Sequence, residues 1–136
     1  MSEAPTYEIS FMLRRILVPF DGSSLSLKAL NIAVDLARHY GSQLTVLYVK
    51  VPGETGDPLD LARSAVGKKI TNVRYKTIEL KENESISSII LKEAVEESYD
   101  LIVVGARGKT SYFDLSIGSI PLALAVNSTS SVLIVR

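Results

Sequence analysis

The sequence predicts an α/β domain: an open five-stranded parallel sheet with helices on both faces. Three observations carry this expectation. Runs such as Ile16-Leu17-Val18 and Leu101-Ile102-Val103-Val104 are unbroken stretches of apolar residues, the pattern of strands buried on both sides. Between such runs, apolar residues recur at helical spacing. The two kinds of segment alternate along the chain, and parallel neighbours need crossover connections of this kind. Five strands and four helices fill the 136 residues with little left over, and there is no internal repeat or linker, so a single domain is expected.

The elements follow in order. Residues 1–10 are polar and irregular, and Phe11, Met12 and Leu13 lead into the first strand, Arg15-Ile16-Leu17-Val18-Pro19. The turn Asp21-Gly22-Ser23-Ser24 places serines to cap a helix, and Leu27, Leu30, Ala33, Val34 and Ala37 form its inner stripe. Gly41 ends that helix. Residues 44–49 read as a second strand, 52–58 as a loop and 59–69 as a short, weak helix. Residues 73–80 alternate enough for a third strand, less buried than the first two. Ser85 caps a third helix with Ile86, Ile89, Ile90 and Ala94 inward; its acidic residues Glu93, Glu96 and Glu97 are expected on a solvated face. The fourth strand ends at Gly105, a stretch over residues 106–116 leads to a helix near Ser119, and residues 132–135 form the last strand.

Composition excludes several chemistries. With no cysteine, disulfides, thiolate metal sites and thiol catalysis are absent. Fifteen basic residues balance fifteen acidic ones, which supplies no electrostatic reason to expect nucleic acid or an anionic membrane as partner. No apolar run approaches the roughly 20 residues of a membrane span, and the N-terminus lacks a secretory pattern. A cytoplasmic protein is expected.

The segment richest in chemistry is Gly105-Ala106-Arg107-Gly108, followed after nine residues by Gly118-Ser119. It leaves a buried strand and enters a helix, whose unpaired N–H groups and dipole suit a phosphate. Glycines let backbone approach an anion, the Ser119 hydroxyl can donate to a phosphate oxygen, and Arg107 and Lys109 add positive charge. Gly108-Lys109-Thr110 imitates the end of a Walker A loop, but Gly105 and Gly108 have two residues between them where that loop needs four. Each glycine alone reads as a turn residue; the set reads as an anion site. Pro19-Phe20-Asp21-Gly22 ends the first strand, and Asp21 would face the Gly105 turn if the first and fourth strands are neighbours. There it could hold a ribose hydroxyl or a base amine, or serve as a turn residue.

These residues resemble the universal stress protein family. The likeness is carried by Ile16-Leu17-Val18-Pro19-Phe20-Asp21-Gly22-Ser23, by Leu101-Ile102-Val103-Val104-Gly105, by the glycine spacing with Gly118-Ser119, and by the closing Val132-Leu133-Ile134-Val135-Arg136. It covers residues 13–136, leaving 1–12 as an N-terminal extension. The resemblance implies a Rossmann-like, adenine nucleotide alpha hydrolase-like sheet with strand order 3-2-1-4-5. It implies the ATP-binding branch, with the adenosine end on Pro19, Phe20, Asp21 and Val49. The phosphates would lie on Gly105, Ala106, Arg107, Gly108, Gly118, Ser119 and Ile120. ATP, or ADP or AMP, is the implied ligand, with Mg²⁺ or Mn²⁺ held mainly through the phosphates. The chain departs from the family pattern at Ser131, where a proline is common, and at Lys81-Glu82-Asn83-Glu84-Ser85, where a glycine-containing turn is usual. The stretch between the second and third strands, which helps cover the nucleotide in the family, is also short.

No catalytic residue is assigned. The one histidine, His39, falls at the end of the first helix, at the opposite edge of the sheet from the glycine turn. Asp114, Thr110, Ser111 and Ser116 read as loop residues. The expected role is a nucleotide-dependent switch or sensor read by an unknown protein partner. A slow ATPase or phosphotransferase and a nucleotide-free scaffold are the alternatives. The last strand is apolar up to Arg136, unlike the charged or proline-bearing edges that discourage pairing. A homodimer through Val132-Leu133-Ile134-Val135 is therefore expected.

Overall fold

A computed structural model describes residues 11–108 and 117–136. Nine elements alternate: β1 (Arg15–Pro19), α1 (Ser24–Tyr40), β2 (Gln43–Lys50), α2 (Leu59–Val66), β3 (Val73–Glu79), α3 (Ile86–Glu96), β4 (Leu101–Gly105), α4 (Ser119–Asn127) and β5 (Ser131–Val135). The sheet is parallel throughout, in the order β3-β2-β1-β4-β5. Fold class and strand order agree with the sequence expectation.

Successive strand residues point to opposite faces, and the core divides accordingly. Ile16, Val18, Phe20, Leu44, Val46, Tyr48, Leu101 and Val103 pack against α1 and α2. Leu17, Leu47, Val49, Ile102 and Val104 pack against α3 and α4. The helix following β1 thus lies on one face and the helix following β4 on the other. Since β1 and β4 are neighbours, their connections part at this point, and a crevice opens at the carboxyl ends of the two strands.

Helix starts and stops follow local chemistry. Asp21 Oδ1 accepts the Ser23 N–H (2.9 Å), and Ser23 Oγ in turn accepts the Ser26 N–H (3.2 Å), capping α1. Ser85 and Ser88 form a reciprocal capping box at the start of α3, each hydroxyl accepting the other residue's N–H at 3.1 Å. In the turn before it, Asn83 takes a left-handed conformation (φ 65°). Asparagine tolerates that region better than most residues. The predicted second helix is shorter than expected: α2 stops at Val66, because Gly67 (φ 52°, ψ −127°) breaks the helical path before Lys68 and Lys69. His39 lies exposed in the last turn of α1, away from the crevice.

One expectation is overturned on α3. Glu93 is 5% exposed, and its carboxylate takes both contacts from Lys76 Nζ of β3, at 2.8 and 3.1 Å. It lies on the buried stripe with Ile89, Ile90 and Ala94, and Lys76 supplies the charge that lets a carboxylate remain there. Glu96 is exposed, as expected, and Glu97 is half-buried near Arg74. The β3 edge of the sheet consequently carries Arg74, Lys76 and Glu79, with the Arg63 guanidinium 4.9 Å from the Tyr75 ring centroid. The β5 edge is Ser131-Val132-Leu133-Ile134-Val135 and carries no charge.

Candidate functional site

The crevice is built from three strand ends and one helix start. At the first end, β1 stops at Pro19, paired with Leu47, and the Phe20 N–H still donates to the Leu47 C=O (2.8 Å). The chain then turns at Gly22, whose φ of 84° is the left-handed region glycine adopts freely. β2 runs on to Lys50, with β3 beside it on the other side, where the Leu80 N–H donates to the Lys50 C=O (2.8 Å). Backbone groups alternate sides along a strand. Leu47 faces β1, so Val49 faces β1 as well, and β1 supplies no residue opposite it. The Val49 N–H and C=O are left as an adjacent donor and acceptor on the crevice wall.

The second wall is the glycine turn. Gly105 ends β4 directly beneath the first turn of α1. A Cβ there would stand 2.9 Å from the Leu25 carbonyl carbon, 3.0 Å from its Cβ and 3.1 Å from its carbonyl oxygen. Gly105 is thus required by the packing of α1 on β4. Ala106 is 2% exposed and its backbone is already used: its N–H donates to the Val135 C=O and its C=O accepts the Gly118 N–H, both at 2.7 Å. That second bond brings Gly118 alongside Arg107.

The start of α4 then has a limited set of donors. The first turn of any helix leaves its amides without intrahelical acceptors. Here the Gly118 amide goes to Ala106, and Pro121 has no N–H. Ser119 and Ile120 retain amides with no acceptor among the described residues, and the first intrahelical bond is Leu122 N–H to Gly118 C=O (3.1 Å). Two adjacent amides are therefore left open at the α4 start beside the crevice.

Asp21 lies between the two walls. Its Oδ1 holds the α1 turn, and its Oδ2 lies 2.8 Å from where a Gly108 Cβ would be. The carboxylate expected across from the glycine turn is there, serving as turn residue and crevice wall together. Among the predicted site residues, Pro19, Asp21, Val49, Gly105, Ala106, Arg107, Gly108, Gly118, Ser119 and Ile120 gather at this end of the sheet. Phe20 departs: its side chain is 3% exposed in the α1/α2 core, leaving only its backbone near the crevice. Lys109, Thr110, Ser111, Asp114 and Ser116 lie outside the described residues. Sequence reading missed Tyr48 and Glu54. The Tyr48 hydroxyl, on a buried ring, donates to Glu54 Oε1 (3.3 Å) in the connection after β2. A phenol inside an otherwise apolar strand was the available signal, since a buried hydroxyl needs a partner.

This glycine-bearing switch point is accompanied by matches to known proteins. A family model described as the Universal stress protein family matches residues 12–136. The chain belongs to that family. Universal stress protein YxiE of Bacillus subtilis (strain 168) is 32% identical over 148 residues, covering 92% of this chain and 100% of the relative. Among solved structures, the universal stress protein UspA from Lactobacillus plantarum superposes with a TM-score of 0.77 at 22% identity, covering 90% of this chain and 97% of that one. A universal stress protein solved in complex with cAMP has a TM-score of 0.74 at 25% identity, covering 90% and 96% of the two chains. Adenine-nucleotide binding therefore occurs within this family. No helix among the described residues is long and apolar enough to cross a membrane.

Proposed function

We propose that this universal stress protein binds an adenine nucleotide in the crevice and acts as a nucleotide-dependent switch. The observation that carries the reading is the complementarity of the two walls. Adenine offers a ring-nitrogen acceptor beside an amino donor, which match the Val49 N–H and C=O left open where β1 stops. The ribose falls near Asp21. The phosphates reach the Ser119 and Ile120 amides at the positive end of the α4 dipole, with the Ser119 hydroxyl and the Gly108 backbone beside them. The complex of a 25% identical relative with cAMP supports the same ligand class. ATP, ADP and AMP share the features this wall reads, and ATP is the occupant proposed here. Mg²⁺ or Mn²⁺ would be held mainly by its phosphates, since such ions keep several waters. Nucleotide occupancy would change the Gly105–Ile120 region, and a protein partner would read that change in the cytoplasm.

The bare β5 edge supports a homodimer. Leu133 is 39% exposed on the α1 side of β5, and on the other face the charge-free helix α4 exposes Leu122 and Val126 at 52% and 73%. Antiparallel pairing of β5 with a second copy would satisfy the open edge and cover this apolar surface about one two-fold axis.

The test begins with protein purified without added nucleotide, denatured so that any released small molecule can be identified. Absence of tryptophan leaves six tyrosines near 280 nm, so bound adenine stands out in the ultraviolet spectrum. About one ATP or ADP per chain, or calorimetric binding of Mg-ATP by the empty protein, is expected. A clean spectrum with no calorimetric binding would reject the reading. Sedimentation showing a monomer at micromolar concentration would reject the dimer.

A further inference from the structure

The last residues of β2 divide two tasks between neighbours. Val49 turns its backbone toward the crevice. Tyr48, one residue earlier, sends its ring to the opposite face, where it is 5% exposed in the core with Phe20 and Leu59. Its hydroxyl donates to Glu54 Oε1 at 3.3 Å. The same oxygen accepts the Val51 N–H at 2.9 Å, and the Glu54 N–H donates back to the Val51 C=O at 3.1 Å. Residues 51–54 thus form a closed turn anchored through one carboxylate on a buried phenol. With β3 holding Lys50 from the other side, the backbone around Val49 is fixed by bonds on each flank, while its own crevice-facing groups stay open.

We propose that Tyr48 and Glu54 are positioning residues for base recognition: the pair holds the end of β2 so that the Val49 N–H and C=O meet the edge of adenine in register. The inference rests on reading the crevice as an adenine-nucleotide site. Burial raises the Tyr48 pKa, and the carboxylates of Glu54, Asp57 and Asp21 raise it further, so the phenol remains a hydrogen-bond donor at neutral pH. A fixed donor–acceptor pair discriminates between bases because adenine and hypoxanthine invert the pattern. Adenine has its donor on the exocyclic nitrogen and its acceptor at N1; hypoxanthine has an exocyclic acceptor and a ring N–H. A strand end free to shift accepts either, so losing the anchor costs selectivity before it costs phosphate binding. A role confined to stability would weaken both nucleotides alike.

The experiment is calorimetric titration of the full chain and two variants, Tyr48→Phe and Glu54→Ala, with AMP and with inosine 5′-monophosphate. Tyr48→Phe keeps the buried ring and removes one hydroxyl. Glu54 is exposed, so its truncation removes no buried side-chain volume and the variant is expected to fold. The expected result is a wild-type preference for AMP, a loss of AMP affinity of about 3–10-fold in each variant, and inosine monophosphate affinity unchanged within about twofold. An AMP-to-inosine-monophosphate ratio that stays at the wild-type value in both variants overturns the proposal while leaving the nucleotide site standing. Wild-type protein that binds neither nucleotide removes the site and this proposal together.

Discussion

Gly105 and Gly118 belong to one spacing pattern, yet they are glycine for different reasons. Gly105 is wedged under α1, where a methyl group would meet the Leu25 backbone at 2.9 Å. A helix cannot give way there without lifting off the sheet. Gly118 has nothing nearer to a would-be Cβ than the Ala106 carbonyl at 3.4 Å, and its φ of −65° suits any residue. The first glycine is a demand of the fold, and it makes the crevice by letting α1 and β4 close on each other. The second is left over from folding and is open to explanation by a ligand. A motif spacing can therefore carry packing and binding requirements in the same string of letters.

The sharpest way to break this comparison is Gly105→Ala. Overpacking against backbone should destabilise the protein by about 3 kcal/mol, read as the shift in urea unfolding. Gly118→Ala should cost at most about 1 kcal/mol, the scale of helix-cap effects. Equal losses in the two variants would erase the distinction. Lys76→Met provides a reference from outside the motif. It leaves the buried Glu93 carboxylate without its partner, but the Lys76 side chain is 44% exposed and water screens the pair. A loss of about 1–2 kcal/mol in the same unfolding assay is expected after that discount. On the ligand side, Ser119→Ala should leave stability within about 0.5 kcal/mol. It should weaken Mg-ATP binding by about fivefold in calorimetry, the effect of one lost hydrogen bond. A fold role for the α4 start would give the opposite pattern.

The smallest effect is alkaline. Burial raises the Tyr48 phenol, and also the Tyr75 phenol against the lowering influence of Arg63; the hydrogen bond to Glu93 raises Lys76. All three hold their protons longer in the folded chain than in the unfolded one. Their contribution is therefore complete below about pH 10 and is lost as pH rises through the folded values. Urea midpoints should stay level through pH 9 as far as these groups are concerned, then fall. The fall should be shallower in Tyr48→Phe, and an identical alkaline limb in that variant would contradict the raised phenol.

The fold was legible because its strands are short apolar runs and its helices carry capping residues at their ends; Ser23, Ser85 and Gly41 all act where their chemistry suggests. Asp21 was legible as a turn residue, a role the structure shows, and its second oxygen lies beside Gly108 at the crevice. Glu93 was misread because its charge outweighed its position, although Ile86, Ile89, Ile90 and Glu93 share one helical stripe. Its partner Lys76 lies seventeen residues earlier on another element, a pairing that no local pattern announces. The open backbone of Val49 depends on β1 ending opposite Leu47, a matter of register that sequence leaves unspecified. The Leu25 contact that explains Gly105 likewise exists only once α1 is folded onto β4.

The two edges of the sheet differ in what they permit a population of chains to do. β3 is armed with Arg74, Lys76 and Glu79, whereas β5 has no charge along its length. The proposed edge-to-edge association through β5 would use up the uncharged border of each chain's sheet, leaving the armed border outside on both partners. In the proposed dimer, growth would stop at two. A sheet with two bare borders could add chains without end; one blunted border converts the same stickiness into a counted stoichiometry.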